Sequence, residues 1–350
     1  MRMMARTAGV VLVGLLCAAL GACGADEGGD TRNVVPPDPD VRVDSRSLGI
    51  SPDGERLAAP CGAKICVWDA DDGSISDRFS GGAILAWSPK DSLIASTDGN
   101  ANIVLIDADN GKHQATLSRH KREKGLDGDT GILHLAFSPD GSQLASSARD
   151  GTVRIWSVSD DEPQVLQTAP EGIRSASDLA FSDDGSRLAV SSRDASTQIW
   201  DVASGKLVYK LTGGAPAGDT VAFSPNGQWL ATATEKPDWT VAVSDADSLT
   251  IKHRFDRDVY VYDLTFSPDD SLLVFNDREG RDIVLWPTSG GEPRVLSDGL
   301  KDMPESLQFS PDGRFLYSIG GKDGIVKWRA DDGTRLKQFE LPDPISSTSH

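Results

Sequence analysis

Residues that commonly carry catalytic and metal chemistry are scarce in this sequence. Its 350 residues include five histidines and four cysteines, and none of the patterns HExxH, GxSxG or GxxxxGK[ST] occurs. The histidines, at positions 113, 120, 134, 253 and 350, do not have a metal-binding or catalytic spacing. The sequence therefore predicts no catalytic residue, no metal site and no cofactor.

Positive charge is also in short supply. Lys and Arg number 35 against 53 Asp and Glu, which gives a formal net charge of −18. A general nucleic-acid binder needs a basic surface for the phosphate backbone, and electrostatic binding to an anionic membrane needs one as well. The composition therefore argues against both classes of partner.

Long apolar runs are absent except at the amino terminus. Residues 8–20 form one 13-residue run behind Arg2 and Arg6. The run is too short to span a bilayer, but its length and its basic flank are typical of a signal peptide.

The run ends in Leu-Gly-Ala-Cys, residues 20–23, which resembles the lipobox of bacterial lipoproteins. The resemblance implies that residues 1–22 are a signal peptide and that Cys23 receives a lipid after cleavage. The protein would then be held at the extracytoplasmic face of the cell membrane by lipid alone, with residues 23–43 as a flexible linker. An ordinary secretory signal that releases the protein is the alternative.

Glycine and proline are plentiful, at 35 and 19 residues, which favours many short strands joined by turns. One eight-residue block recurs seven times: SLGISPDG (47–54), ILAWSPKD (84–91), HLAFSPDG (134–141), DLAFSDDG (178–185), TVAFSPNG (220–227), DLTFSPDD (263–270) and SLQFSPDG (306–313). The serines at the fifth position are separated by 37, 50, 44, 42, 43 and 43 residues. The recurrence predicts seven structural repeats over residues 44–341.

Each repeat reads as four strands. In the third repeat, Leu135 and Phe137 alternate with smaller residues, which is the period-two pattern of a strand. A Ser-Pro-Asp-Gly turn follows, then the strand-like runs QLASSA and TVRIW. Four strands per repeat without helical periodicity are typical of a β-propeller blade, so the sequence predicts an all-β, seven-bladed propeller.

The repeats resemble those of the WD-repeat family. The matching elements are the AFSPDG and LASSARDG blocks and five third-strand endings, CVWD (66–69), VRIW (153–156), QIWD (198–201), IVLW (283–286) and IVKW (325–328). The family's Gly-His pair before the first strand is replaced by Gly128 and Asp129 in the third repeat, so we expect the family's hydrogen-bond network to be partial. A TolB-like propeller, which also uses SPDG turns, is the nearest alternative.

The sequence leaves the closure of the ring open. The last repeat has four strands of its own, so the ring closes blade to blade, or residues 33–43 add an edge strand. Residues 342–350 are interpreted as a disordered tail and the protein as a monomer.

Cys61 and Cys66 flank a short predicted turn between the second and third strands of the first blade. Because exported proteins meet oxidising conditions, we expect them to face each other and to form a disulfide. Two free thiols packed between blades are the alternative.

The longest insertion, between the second and third repeats, is basic in an otherwise acidic chain. We interpret it as a contact for an acidic protein partner, through Arg119, His120, Lys121, Arg122 and Lys124. A second candidate contact on the same predicted face is the turn at 276–282, with Arg278 and Arg281. The alternative is that both are solvated loops without a partner.

The resemblance implies a non-catalytic protein-binding scaffold. The alternative hypothesis is a hydrolase or lyase, or a TolB-like envelope component, with a site in the central channel. Carboxylates clustered with a histidine at the channel mouth would favour the enzyme, whereas a channel lined by Ser, Thr and Ala would exclude it.

Overall fold

Turns of the Ser-Pro-Asp-Gly type divide the chain into short antiparallel strands. In the third repeat the amide of Gly141 donates to the carbonyl of Ser138 at 2.9 Å, and Gly141 has a φ of 73°, which favours glycine. Ser138 Oγ donates to the Asp140 carboxylate at 2.6 Å and accepts from the amide of Gln143 at 2.9 Å. These side chains stabilise the turn between the first and second strands of the repeat.

The computed structural model describes residues 47–62, 64–120, 131–159, 164–167, 176–192, 196–212, 220–234, 240–256, 261–277, 281–296 and 300–342. All of them belong to one unit of the chain, Arg42–His350. The predicted signal peptide, Cys23, the linker and nearly all of the predicted tail lie outside the described residues.

The described strands form seven four-stranded antiparallel sheets, each ordered as its strands follow along the chain. Blade 1 contains β1 Gly49–Ile50, β2 Arg56–Cys61, β3 Lys64–Asp69 and β4 Ile75–Ser80; blade 2 contains β5 Leu85–Trp87, β6 Leu93–Thr97, β7 Ile103–Asp107 and β8 His113–Leu117. Blade 3 contains β9 Ile132–Phe137, β10 Gln143–Ala148, β11 Thr152–Ser157 and β12 Gln164–Gln167; blade 4 contains β13 Ala176–Phe181, β14 Arg187–Ser192, β15 Ser196–Asp201 and β16 Lys206–Thr212. Blade 5 contains β17 Thr220–Phe223, β18 Trp229–Thr234, β19 Thr240–Asp245 and β20 Ile251–Asp256; blade 6 contains β21 Leu264–Phe266, β22 Leu272–Asp277, β23 Asp282–Pro287 and β24 Arg294–Leu296. Blade 7 contains β25 Ser306–Phe309, β26 Phe315–Gly320, a 3₁₀ turn Gly321–Asp323, β27 Gly324–Arg329 and β28 Arg335–Phe339.

The seven sheets form a ring, which confirms the predicted seven-bladed β-propeller. First strands of successive blades contact one another, as β9 contacts β13 and β13 contacts β17, so the first strands line the channel and the fourth strands form the rim. Because the strands alternate in direction, the turns between second and third strands lie at the same end as the connections to the next blade. We call this end the connection face.

Apolar residues from adjacent blades pack against each other across the ring. Between blades 5 and 6, Val241 and Val243 of β19 share a core with Phe266 and Phe275. The second strands supply small residues at these contacts, and Ala58, Ala145, Ala189 and Ala231 are completely buried. Small side chains let adjacent sheets approach closely, as the alternation of large and small residues predicts.

The ring closes by packing of blade 7 on blade 1. Tyr317 and Ile319 of β26 lie in one core with Leu57 and Trp68 of blade 1. The Lys327 ammonium also donates to the carbonyl of Ala70 at 2.8 Å. In the described residues each closing blade has four strands from its own repeat. Residues 33–43, which the second closure mode needs, lie outside the described residues.

A disulfide joins Cys61 and Cys66, whose Cα atoms lie 5.7 Å apart. The sequence predicted that the two residues would lie directly opposite each other, and this detail is wrong. Cys61 pairs with Lys64, and Cys66 pairs with Ala59. They are diagonal neighbours across a tight hairpin in which Gly62 has a φ of 69°. Residues two positions apart along a strand share a face, so the bridge crosses one face of the sheet.

We predict that the isolated protein contains this disulfide. Trypsin cuts after Arg56, Lys64 and Arg78, so digestion without reductant should give peptides 57–64 and 65–78 covalently linked, and reduction should separate them. Mass spectrometry measures the linked mass. Labelling of both cysteines by iodoacetamide before any reduction would instead show two free thiols.

Candidate functional site

The serines of the repeated turns are buried and bonded within their own turns. In six of the seven, Oγ donates to an Asp or Asn side chain two residues on and accepts from the amide five residues on: Ser51, Ser138, Ser182, Ser224, Ser267 and Ser310. Bonds from the serine hydroxyls lower the pKa of Asp184 and Asp312 to about 2. A carboxylate of such low pKa is a weak general base, and the serine hydroxyls are buried away from any substrate. The repeated Ser-Asp pairs are therefore structural.

A buried hydrogen-bond network lies at the connection face of blade 3. The indole Nε1 of Trp156 donates to Ser146 Oγ at 2.8 Å, and Ser146 Oγ lies 2.8 Å from His120 Nε2. His120 Nδ1 lies 3.1 Å from the Asp150 carboxylate. The Asp150 carboxylate also accepts from the amide and hydroxyl of Thr152 at 3.0 and 2.7 Å.

The partners assign the tautomer of His120. A carboxylate only accepts, so Nδ1 carries the hydrogen when it bonds to Asp150, and in the neutral ring Nε2 then accepts from the hydroxyl of Ser146. Nδ1 cannot then also accept from Arg154 Nε, which lies 3.3 Å away. Ser146 accepts in turn from the indole of Trp156. Hydrogen bonds therefore run in one direction from Trp156 on β11, through β10, to the turn at Asp150. Such a fully satisfied network fixes the connection that carries His120 to the blade.

This network corrects two expectations. The ring of His120 is buried, with 1% of its side chain exposed, so His120 does not present itself to a partner as part of the basic insertion. The network is also complete in this blade, whereas the sequence at Gly128 and Asp129 predicted a partial one. The histidine comes 12 residues before β9 rather than next to it. The inserted residues lie between His120 and β9, so the sequence directly before the strand contains no histidine at the family's position.

Blade 7 contains a variant of the network without histidine. Trp328 Nε1 donates to Ser318 Oγ at 2.9 Å, as in blade 3. The buried carboxylate of Asp323 accepts directly from the backbone amides of Lys301 and Asp302 at 2.6 and 2.8 Å. Backbone amides thus replace the imidazole, which explains why no histidine is needed there.

Blade 4 lacks the network in its described residues. Val190 occupies the position ten residues before Trp200, where blades 3 and 7 have serine. The indole Nε1 of Trp200 is consequently buried without a hydrogen-bond partner among the described residues. The expectation of a partial network therefore holds for blades 4 and 7, while blade 3 departs from it.

The other basic residues of the predicted contact are only partly described. Arg119 is exposed beside His120, whereas Lys121, Arg122 and Lys124 lie outside the described residues. Arg281 is exposed at the turn between β22 and β23, where its guanidinium donates to the carbonyl of Lys301 at 2.8 Å.

Arg281 therefore links blade 6 to the connection that enters blade 7, and it leaves the rest of its guanidinium on the connection face. Arg278 lies outside the described residues. The assignment of these arginines and lysines to a partner contact stays a prediction.

The first residues of the seven repeated blocks mark the start of the channel-lining strands. They are Ser47, Ile84, His134, Asp178, Thr220, Asp263 and Ser306. This set combines small polar and apolar residues with two carboxylates and one histidine. The described residues contain no group of three or more His, Cys, Asp or Glu side chains placed to hold a metal ion.

Carboxylates of this set bind the next blade. Asp178 Oδ2 accepts from the amide of Val221 at 3.0 Å, and Asp263 Oδ2 accepts from the amide of Leu307 at 2.7 Å. His134 Nε2 lies 3.3 Å from Asp178 Oδ1, which extends the first link back to blade 3. His134 Nδ1 is buried and has no partner in the described structure. One nitrogen faces a carboxylate and the other is inaccessible, so this imidazole is poorly placed to act as a general base.

Asp263 has an unusual ionisation. Burial, reinforced by the negative charge of Asp178, raises its pKa from 3.8 to about 7, although the amide of Leu307 opposes the shift. The buried site therefore favours the neutral acid over the carboxylate.

With this geometry established, comparison with known proteins shows a relationship. A family model described as "WD domain, G-beta repeat" matches residues 111–157, 164–201 and 302–328. The chain contains WD40 repeats. The first and last matches include the Trp156 and Trp328 networks of blades 3 and 7.

Relatives among characterised proteins match only parts of the chain. Periodic tryptophan protein 2 homolog of Neurospora crassa is 31% identical over 35% of this chain and 14% of its own length. Small ribosomal subunit protein RACK1y of Oryza sativa subsp. japonica is 30% identical over 50% of this chain and 40% of its own length. The chain thus spans less than half of either relative.

A chain in the crystal structure of a mitotic checkpoint complex has the same fold. Its TM-score is 0.72 at 22% identity, and the match covers 91% of this chain and 99% of that one. This likeness supports the propeller fold. Among the described residues, no helix has the length and apolarity needed to cross a bilayer.

We predict that His120→Ala destabilises the propeller by about 2 kcal/mol, because it leaves Asp150 and Ser146 buried without their partner. Urea unfolding measures the change. His113→Ala is the matched control, since His113 is exposed on β8, and it should change stability by less than about 0.5 kcal/mol. Equal effects of the two substitutions would contradict a structural role for the buried imidazole.

We also predict that Asp263→Asn stabilises the protein at pH 8. The folded pKa of about 7 exceeds the unfolded value of 3.8, so ionisation costs stability progressively as the pH rises from about 4 through 7. Asparagine mimics the neutral acid, and the melting temperature should rise by about 3 °C at pH 8 and little at pH 4.

Asp184→Asn is the control of opposite sign. The pKa of Asp184 is lowered to about 2, so its carboxylate stabilises the fold above about pH 4 and this contribution is lost as the pH falls through 2. Asp184→Asn should therefore lower the melting temperature at pH 8. A decrease at pH 8 for Asp263→Asn as well would contradict the raised pKa.

Proposed function

We propose that this protein is a non-catalytic protein-binding scaffold displayed as a lipoprotein at the extracytoplasmic face of the cell membrane. The observation that carries the proposal is how the repeated polar residues are used. The Ser and Asp side chains of the turns, and the Asp178 and Asp263 links between blades, are all engaged in holding the ring. The sequences that differ from blade to blade are those of the connections between strands. The molecule is therefore a rigid frame that carries non-repeating loops.

A rigid frame suits binding because its loops lose little conformational freedom when a partner docks. The connection face is the natural place for such docking. The His120 network fixes the base of the longest insertion, and Arg119 and Arg281 supply positive charge to an acidic partner in an otherwise acidic chain. Two relatives support this use, since RACK1y is a ribosomal subunit protein by name and wat1 of Schizosaccharomyces pombe is a subunit of a target of rapamycin complex by name.

The enzyme hypothesis has less support. Its requirement was a cluster of carboxylates with a histidine, and the channel does contain His134 near Asp178. However, both carboxylates of the channel set accept backbone amides of the next blade. Nδ1 of the imidazole is buried and Nε2 faces the Asp178 carboxylate, so the pair is better suited to tying blades together than to proton transfer.

The lipid anchor is proposed from Leu-Gly-Ala-Cys at 20–23 and the preceding apolar run. In cells that express the protein, the substitution Cys23→Ala should prevent labelling of the protein by an alkyne fatty acid. It should also move the protein from the membrane fraction to the soluble fraction. Cys17→Ala, within the apolar run, is the matched control and should keep both properties. Persistent membrane association and labelling of Cys23→Ala would contradict the anchor.

The same cells test the scaffold. Chemical cross-linking of intact cells should join the native and Cys17→Ala proteins to the same discrete protein partner. Failure of the native protein to cross-link to any protein, with Cys23 lipidated, would contradict the scaffold and leave the anchor intact.

A further inference from the structure

The outer strand of blade 4 differs from the other rim strands. β16, Lys206–Thr212, is seven residues long and lies at the edge of its sheet. Leu207, Val208 and Tyr209 are 44%, 46% and 47% exposed. The other exposed large hydrophobic residues in the described structure, Tyr262, Val295 and Leu336, are single residues on separate elements. β16 is therefore the one described place where such residues are consecutive.

Ile199 pairs with Tyr209 and Trp200 pairs with Leu207, so Val208 is an extra residue in a β-bulge. The same bulge occurs in β4, β8, β20 and β28, where the extra residues are Ser76, Gln114, Lys252 and Leu336. β16 differs from these strands in having apolar residues at three consecutive positions around the bulge. In β16 five consecutive residues, 206–210, are exposed on both sides of the strand. The apolar side chains are thus presented at the rim and do not join the core.

An edge strand also presents one row of backbone amides and carbonyls that no neighbouring strand uses. Proteins usually protect such edges with charges, prolines or short strands. β24, with three residues, is an example of a short rim strand. β16 is long, contains no proline, and in the described structure no strand pairs with its outer edge. An added strand would gain both backbone hydrogen bonds and apolar contacts.

Charge indicates what kind of strand fits. Lys206 and Lys210 flank the three apolar residues, and β16 has no acidic residue of its own. Asp201 pairs with Lys206 across the sheet, whereas Lys210 lies opposite the neutral Gln198. A partner strand with carboxylates beside its apolar residues would therefore meet positive charge in a protein whose net charge is −18.

A second copy of this chain fits less well. The antiparallel register that overlaps residues 207–209 of two copies sets each Lys206 opposite Lys210 of the other copy. Like charges directly opposite each other destabilise a strand pair. The total charge of each copy adds repulsion at low ionic strength.

We propose that β16 binds an extended, acidic and apolar segment of a partner protein by strand addition at the rim of blade 4. The inference rests on the proposed binding function and names one surface for it, separate from the connection face.

The test uses the full chain and two fluorescein-labelled eight-residue peptides, one of alternating glutamate and valine and one of alternating lysine and valine. Fluorescence anisotropy should show that the glutamate peptide binds at least about tenfold more tightly than the lysine peptide. Lys206→Glu with Lys210→Glu should reverse the preference. Lys252→Glu, an exposed lysine on β20, is the matched control and should leave it unchanged.

A second measurement covers the backbone. Amide hydrogen exchange should slow at residues 206–212 when the glutamate peptide is bound, and Val208→Pro should weaken binding because proline blocks strand pairing. Leu207→Ser with Tyr209→Ser changes only exposed side chains and should weaken binding even if Val208→Pro does not fold.

Two results would overturn the proposal. One is a failure of the peptide test: either the native and charge-reversed proteins bind the glutamate peptide equally, or the bound peptide slows amide hydrogen exchange elsewhere than at β16. The other is a dimer in sedimentation that Val208→Pro dissociates, which would make a second copy the occupant. Either result, with a partner still cross-linked in cells, would leave the scaffold function standing.

Discussion

The structure depends on one contact that the repeats do not supply locally, the junction between blade 7 and blade 1. Every other pair of neighbouring blades is joined by the chain itself. At this junction Lys327 is buried, donates to the carbonyl of Ala70, and lies 4.2 Å from the ring centre of Phe315. Burial lowers the pKa of Lys327, yet the ammonium is compensated by the carbonyl and by the aromatic face. Apolar packing and one buried cation thus hold the ring shut.

Blades 1, 3 and 7 each contain a stabilising bond or network that lies outside the repeated turn pattern. Blade 1 has the shortest channel strand among those described, the two residues of β1, and it contains the disulfide between β2 and β3. Blade 7, on the other side of the junction, has the Asp323 network that ties the incoming connection to the sheet. Blade 3 has the His120 network where the longest insertion enters. In each case a covalent or buried polar bond compensates for weak strand pairing or for a long connection.

Much of the fold could be predicted from the sequence because its causes are local. Each SPDG turn contains the groups that close it, such as Ser138, Asp140 and Gly141, and the period of the turns fixes the number of blades. The role of His120 could not be predicted in the same way, because the insertion separates it from β9. Its partners Asp150 and Trp156 were visible at six-residue spacing, and a search farther back along the chain would have found it.

Contacts between blades could not be predicted from the local sequence pattern. The link from Asp178 to Val221 joins residues 43 positions apart, and its existence depends on the curvature of the ring. The diagonal placement of Cys61 and Cys66 depends on a register that a two-residue turn sets. The position of Val208 in a bulge, which β4, β8, β20 and β28 share, depends on the pairing of β16 with β15.

The junction between the first and last blades also has a kinetic meaning. The bond from Lys327 to Ala70 joins residues 257 positions apart, whereas links such as that between Asp178 and Val221 span 43. Closing the longer loop costs about 1.6 kcal/mol more in chain entropy on a random-coil estimate. Contacts of such sequence separation form slowly. The blades are therefore expected to assemble in neighbouring groups first, with the seam between Ala70 and Lys327 the last part of the ring to form.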